Sequence, residues 1–401
     1  MTNNTNPIRV GFHVIGGKKW RGGHQYQLNL FRTLQRFEQH RITPVLLAST
    51  RDEPETVAAL AKFLDEPVIY SSVVDELRRT RRQILSVLSV KNPSVNRLLI
   101  ENRIDVVFEN AFFWGRRLPV GSVAWFPDLQ HLRLPHLFGR MERLRRQIGF
   151  KIQIQTDRTI MLSSDDAHQD LKHFYGPISN RVCVVPFAFP HRQPVSDSEI
   201  NATKSKYNIV GSYVLLPNQF WKHKNHAMAV QAFAMAKRRG GQIQLVLTGN
   251  PLDHKGTGTF TKVKQLIDEL GLSERVHNIG LIPYEELQNL MFGCTAMLNP
   301  SEFEGWSTTV EEAKAFGIPL LLSNLNVHRE QAGDNATYFS QDSPDELADM
   351  ILNLDKHEGL RTSQFDSLTL SRLADERLSR FGQAFYETCS STLATSVSSA
   401  K

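Results

Sequence analysis

The chain has 401 residues, 41% of them hydrophobic, with 47 Lys and Arg against 41 Asp and Glu for a net charge of +6. That length exceeds one ordinary core and predicts two domains, and 22% charged residues excludes a disordered or fibrous chain. The small basic excess suits an anionic ligand, an anionic membrane surface or a solvated face without choosing among them, and no nucleic-acid motif accompanies it, so a nucleic-acid partner is not expected.

From the N-terminus, MTNNTNPIRVGFHVIGG has no basic segment followed by an apolar core and a cleavage site, so no leader is read. No apolar run approaches the ~20 residues that span a bilayer. The expected location is cytoplasmic. IRVGFHVI (8–15) reads as a buried strand, and Leu28, Phe31, Leu34 and Phe37 give the next segment helical spacing. Between them, Gly22 and Gly23 would let a ligand approach the backbone at the head of that helix, beside His24. IGGKKWRGGH is not GxGxxG, so a nicotinamide dinucleotide is poorly supported. ITPVLLAS, IDVVFEN, VAWFPD, TIMLSS and RVCVVPF continue the strands to about residue 187, and the alternation with helices predicts a parallel sheet over residues 1–190. The basic runs 78–83 and 139–147 read as solvated helix faces or as a patch for anionic lipid.

Residues 191–208 are polar and Pro-containing and read as an interdomain linker. The pattern then restarts: SYVLLPN, QIQLVLTGN, RVHNIGLI, CTAMLNPS and PLLLSN read as strands separated by helices, a second doubly wound domain over 209–365. A long helix that could pack back on the N-terminal domain is expected over 366–390, then a disordered tail over 391–401. Two Rossmann-like halves facing each other across a cleft would bind ligands at the carboxyl ends of their strands. Cys183, Cys294 and Cys389 form no paired spacing, so neither a disulfide framework nor a zinc site is suggested. Asn201 and Asn335 match a glycosylation pattern that reads as chance.

The stretch SEFEGWSTTVEEAKAFGIP (301–319) holds the chemistry. CTAMLNPS should end near Pro300, making SEFEGW the loop at the carboxyl end of a strand. Thr308 with Glu311, and Thr309 with Glu312, fit capping boxes, and Gly317 before Pro319 stops the helix they would start. Glu304 then lies on the loop and Glu312 in the first turns. The helix start, with the hydroxyls of Ser307, Thr308 and Thr309, offers an anion site between the two carboxylates. On spacing alone, Glu312 as a mere capping partner and Glu304 as a solvated loop residue are equally good readings.

PSEFEGWSTTVEEAKAFGIPLLLS closely resembles the E-x7-E segment of retaining glycosyltransferases of family 4, which have the GT-B fold, and Glu304 and Glu312 fall on its two Glu positions. RGGHQYQLNLFRTL, LLPNQFWKHKNHAMAVQAFA and SNLNVHREQAGDNATYFSQDSPDELA resemble further parts of that family. The resemblance implies transfer of a hexose from a nucleotide-diphosphate sugar to a glycan or lipid-linked acceptor, with the donor on the C-terminal domain and the acceptor on the N-terminal one. It places Glu304 against the transferred sugar, Glu312 against the ribose, and the amides from Gly305 to Thr309 against the diphosphate. Lys224 matches the family's lysine for the leaving phosphate, a role that suits a fixed ammonium. Asn218 and Lys222 neighbour it. EGWSTT and HREQ resemble mannosyltransferase-like members. Two positions depart from the pattern: Gln219 stands where the family commonly has Arg, and Pro127 where it commonly has His, although Asp128 remains and His131 is close. With no Asp-x-Asp triplet and no His/Cys cluster, no metal or cofactor is expected. The departures keep alternatives open: a non-catalytic nucleotide-sugar or glycan-binding protein, or a sugar-nucleotide epimerase.

Overall fold

The structure is a computed structural model that describes residues 6–17, 21–77, 92–110, 113–251, 258–356 and 366–399. The basic run 78–83 lies outside them. The chain forms two compact units, one of residues 1–188 with 376–401 and the other of residues 189–375.

The first unit is built on seven parallel strands: β1 (Ile8–Phe12), β2 (Ile42–Ala48), β3 (Ile69–Tyr70), β4 (Val106–Glu109), β5 (Gly121–Phe126), β6 (Thr159–Leu162) and β7 (Val182–Val184). Their order is β3-β2-β1-β4-β5-β6-β7, so the winding reverses between β1 and β4. Every residue of β4, β5 and β6 is buried, as expected of strands covered on both faces. Ile8 pairs with Ile42 and Val10 with Val106 in register. Aromatic side chains dominate the core: Tyr26 stacks on Trp125 with centroids 3.9 Å apart, and Phe12 lies 5.4 Å from Phe108 and 6.0 Å from Phe385.

Phe385 belongs to the C-terminal helix, Ser367–Ser399. The expected disordered tail is therefore helical through Ser399. Towards its end Thr388 and Thr395 return their hydroxyls to the carbonyls of Ala384 and Ser391, four residues back, which satisfies them inside the helix. Thr392 is buried, with its Oγ1 2.7 Å from Thr159 Oγ1. Gly121 makes room for it, since a Cβ there would lie 3.0 Å from Thr392 Cγ2.

Six parallel strands form the second unit: β8 (Tyr213–Leu216), β9 (Gln244–Thr248), β10 (Val276–Gly280), β11 (Ala296–Asn299), β12 (Leu320–Ser323) and β13 (Ala336–Phe339). The order β10-β9-β8-β11-β12-β13 is that of a dinucleotide-binding fold, with its reversal between β8 and β11. The helix His226–Arg238 buries Ala229, Val230, Ala232, Phe233 and Ala236 and packs on the helix Pro344–Lys356. Small side chains in that face let two helices and the sheet share one core.

Residues 191–208 are not a free linker. Ser196 and Glu199 close a capping box that starts the helix Asp197–Lys206. That helix packs on Tyr284–Gly293, with Asn289 Nδ2 donating to Thr203 Oγ1 at 3.0 Å. Only Thr203 of the helix is buried, which is why its sequence shows no apolar face.

Candidate active site

Asn299 ends β11, and Pro300, with no amide to donate, terminates the ladder there. This is the reversal point of the second sheet, the place where open α/β sheets bind ligands. Asn299 organises the loop that follows. Its Oδ1 accepts from Asn218 Nδ2 at 3.2 Å, and its Nδ2 donates to Glu304 Oε1 at 3.1 Å and to Ser307 Oγ at 3.0 Å. The Ser301 hydroxyl lies 2.6 Å from Asn299 Oδ1 and 2.7 Å from Glu304 Oε1.

Lys224 reaches the same carboxylate from the loop after β8, with Nζ 2.6 Å from Glu304 Oε1. It sits on a single turn of 3-10 helix, Lys222–Lys224, closed by Asn225 in the left-handed region at φ 53°. Glu302 N donates to His223 O at 2.8 Å, so the two loops are tied through backbone as well. Glu304 and Lys224 are each 9% exposed. Burial pushes the Glu304 carboxyl up, but Lys224, His328 and His223 outweigh it and hold the group at about 2. Lys224, Asn299 and Ser301 all meet Oε1, and Oε2 has no hydrogen-bond partner among the described residues.

Ser307 is the N-cap of the helix Thr308–Phe316, but its side chain makes no capping bond. Its hydroxyl is engaged by Asn299 and lies 3.0 Å from Thr309 Oγ1. Neither expected capping box forms. Glu311 instead accepts from Lys314 Nζ at 2.7 Å and from Gln331 Nε2 at 3.0 Å. Gln331 also grips the Ser307 backbone from both sides, accepting from its N at 3.1 Å and donating to its O at 2.7 Å. The helix start is thus held from behind, and its first-turn amides keep no side-chain cap in front. Gly305, Thr308 and Thr309 are half-buried beside it, and Gly317 at φ 70° ends the helix.

Glu312, one turn in, has a different environment. Its Oε1 accepts from Tyr284 Oη at 2.6 Å. Burial raises the carboxyl to about 7, with Tyr284 and the Arg192 guanidinium pulling the other way. One short segment therefore carries a carboxylate ionised throughout the neutral range and a second that titrates within it.

Asn218, Lys224, Glu304, Ser307 and Thr309 are thus joined in one network, with Gly305 on the same loop and Thr308 opening the helix. Lys222 is exposed on its turn. Gln219, at the position where an arginine was missing, accepts from Asn250 N at 2.9 Å and bridges the loops after β8 and β9. Those loops touch: a Cβ on Gly249 would lie 2.3 Å from the Asn218 carbonyl oxygen. Asn299, Ser301, Gln331, Tyr284 and Arg192 were not singled out from sequence. In the sequence LNPS marks only a strand end, and HREQ carries only a resemblance.

The first unit holds the other expected positions. Asp128, two residues beyond β5, is half-buried and accepts from Gln130 N at 3.0 Å. His131 lies on the short helix Gln130–Arg133. It is fully buried between Phe138 and Phe150, with both ring nitrogens unpartnered, and burial followed by Arg146 lowers it to about 4. Gly22 and Gly23 lie inside the first turn of the helix Arg21–Thr33 and need no left-handed backbone. Gly16 at φ 77° and Gly17 at φ 119° make the turn after β1. His24 is half-buried with its Nδ1 unpartnered, and burial lowers it against the pull of Glu53. At the reversal point of this sheet, His13 Nε2 and Asn110 Oδ1 lie 2.9 Å apart, a pair not anticipated from sequence.

Residues 198–364 match the family described as Glycosyl transferases group 1. Mannosylfructose-phosphate synthase of Agrobacterium fabrum is 21% identical over 251 residues, 57% of this chain and 55% of that one. The GDP-Man:Man(3)GlcNAc(2)-PP-Dol alpha-1,2-mannosyltransferase of Mus musculus is 27% identical over 179 residues, 41% of this chain and 36% of that one. The chain thus spans from about a third to about half the length of these curated relatives. Among solved structures, a glycosyltransferase from Rickettsia africae superposes with a TM-score of 0.72 at 14% identity, over 97% of this chain and 99% of that one. Anabaena Alr3699/HepE in complex with UDP and glucose gives 0.69 at 17% identity, over 96% and 100%. The fold is GT-B, two Rossmann-like units with parallel sheets.

Proposed function

We propose, from the premise that residues 198–364 are a group 1 glycosyltransferase domain, that the chain transfers a hexose from a nucleotide-diphosphate sugar held by the second unit. The observation that carries this is the convergence of Lys224, Asn299 and Ser301 on Glu304 at the start of an uncapped helix. Transfer breaks the bond between the anomeric carbon and the diphosphate. The acceptor hydroxyl oxygen takes its place, its proton passing to the departing phosphate, on which negative charge gathers as the bond breaks. A helix start and a fixed ammonium favour that charge. In this reading the first-turn amides and the hydroxyls of Ser307, Thr308 and Thr309 hold the diphosphate, and Lys224 meets the phosphate that leaves. Glu304 receives the hydroxyls of the transferred sugar and Glu312 those of the ribose. Asn218 positions Asn299. Lys222 adds a solvent-facing charge at the mouth. We assign the electrostatic work to these groups without a metal, and transfer with retention of anomeric configuration.

Mannose from GDP-mannose is our first choice of donor, supported by the mannosyltransferase names among the relatives, including an O-antigen chain mannosyltransferase of Salmonella typhimurium. The acceptor we favour is a glycan or lipid-linked glycan, received by the first unit, where Asp128 and the Gly22–His24 turn stand. A second reading, a nucleotide-sugar binder without turnover, is supported by Gln219, which brings a structural bridge where a cation would assist the leaving group. The test is a melting-temperature panel with GDP, UDP, dTDP and their sugars, with and without divalent metal. Selective stabilisation by one nucleotide without metal, followed by sugar release to an acceptor, supports transfer. Stabilisation without turnover supports the binder. No response at millimolar nucleotide refutes both.

A further inference from the structure

Eight large hydrophobic side chains are exposed among the described residues, and three of them, Met141, Leu144 and Ile148, share the helix Arg140–Ile154. They are 65%, 49% and 48% exposed. At 100° per residue they fall within an arc of about 60° on one face. The opposite face anchors the helix to the first unit: Phe150 stacks on Phe126 at 4.3 Å, and Gln153 Nε2 donates to Asn110 O at 3.2 Å. An anchored helix has no need to send a ridge of Met, Leu and Ile into water.

The charges flanking the ridge choose its partner. Arg145 lies on one side, and Arg140 and Lys151 on the other, all exposed. Glu142, the only acid on the helix, is matched by Arg146 at 3.5 Å, and Arg146 also caps the Phe138 ring at 4.9 Å. What remains is an apolar ridge between uncompensated cations. An anionic phospholipid surface meets both halves, acyl chains taking the ridge and phosphates the guanidinium and ammonium heads. A nucleic acid would use only the charges. A second copy of the helix would bring like charges together.

We propose that this face lays the first unit onto an anionic lipid surface, a role independent of whether the second unit transfers a sugar. The test is co-sedimentation of the full chain with phosphatidylcholine vesicles, with and without phosphatidylglycerol. The variants are Met141→Ser/Leu144→Ser/Ile148→Ser and Arg140→Glu/Arg145→Glu. All five side chains are exposed, so both variants should melt like the parent. The parent should bind only the anionic vesicles, and each variant should bind roughly tenfold more weakly or worse. Undiminished binding by the triple-serine variant overturns the proposal. So does failure of the parent to bind, including the case where light scattering shows a dimer that the serines dissolve.

Discussion

Replacing Glu312 with Gln tests the electrostatics of the candidate site without any ligand. The native carboxyl is raised from 4.5 to about 7, chiefly by burial. Between those two values the native state holds a proton that the unfolded chain has released, so stability falls as pH rises through the window. At 1.36 kcal/mol per unit, keeping the ionised group buried costs about 3 kcal/mol above pH 7. A Gln side chain keeps an oxygen for the Tyr284 hydroxyl and carries no charge to bury. It should therefore match the parent near pH 4.5 and exceed it above pH 8 by about 3 kcal/mol, roughly 6–12 °C in melting temperature for a unit of this size. The assay is a melting curve of both proteins at several pH values without nucleotide. A Gln variant that is less stable at every pH would mean that Glu312 supports its helix, as a capping partner would. A difference that does not grow with pH would mean that the carboxyl is not raised.

Ribose hydroxyls donating to Glu312 would favour its carboxylate, so nucleotide should bind more tightly as pH rises through about 7 and release a proton on binding. Calorimetry in buffers of different ionisation enthalpy reads this, and Glu312→Gln should abolish it. Lys224→Ala removes the partner of a buried carboxylate, which should cost about 3–5 kcal/mol in urea unfolding and at least about tenfold in turnover. Joining it to Glu304→Leu should recover stability but not activity; if the double variant is no more stable than Lys224→Ala, the pair is not the source of the cost. Gly249→Ala drives a methyl into the Asn218 carbonyl and should lower stability by about 1–3 kcal/mol, with loss of nucleotide affinity. An unchanged melting curve would contradict the close approach of the loops after β8 and β9.

The sheets were legible because buried parallel strands such as YVLL and AMLN are continuous apolar runs. β3 escaped notice because it has only two residues, and β13 because it is partly exposed. Glu304 and Glu312 could be found because their chemistry and spacing lie within one segment. Tyr284, the partner of Glu312, and Gln331, which holds Ser307, could not, since they reach the site from other helices. Local pattern also misled: Thr-x-x-Glu fits a capping box, yet Glu311 is drawn away by Lys314 and Gln331. The helix Asp197–Lys206 and the end of the last helix were misread for one reason. Their buried contacts are made by Thr203 and Thr392, polar residues that composition assigns to water.

The last helix also sets the order in which the molecule can be finished. Residues 189–375 are one unbroken stretch, whereas the first unit needs both ends of the chain. During synthesis the second unit has all its strands before Phe381 and Phe385 exist to cover the aromatic core begun by Phe12, Tyr26 and Phe108. A chain that stops before Phe381 would keep the first sheet's strands but leave their aromatic core uncovered.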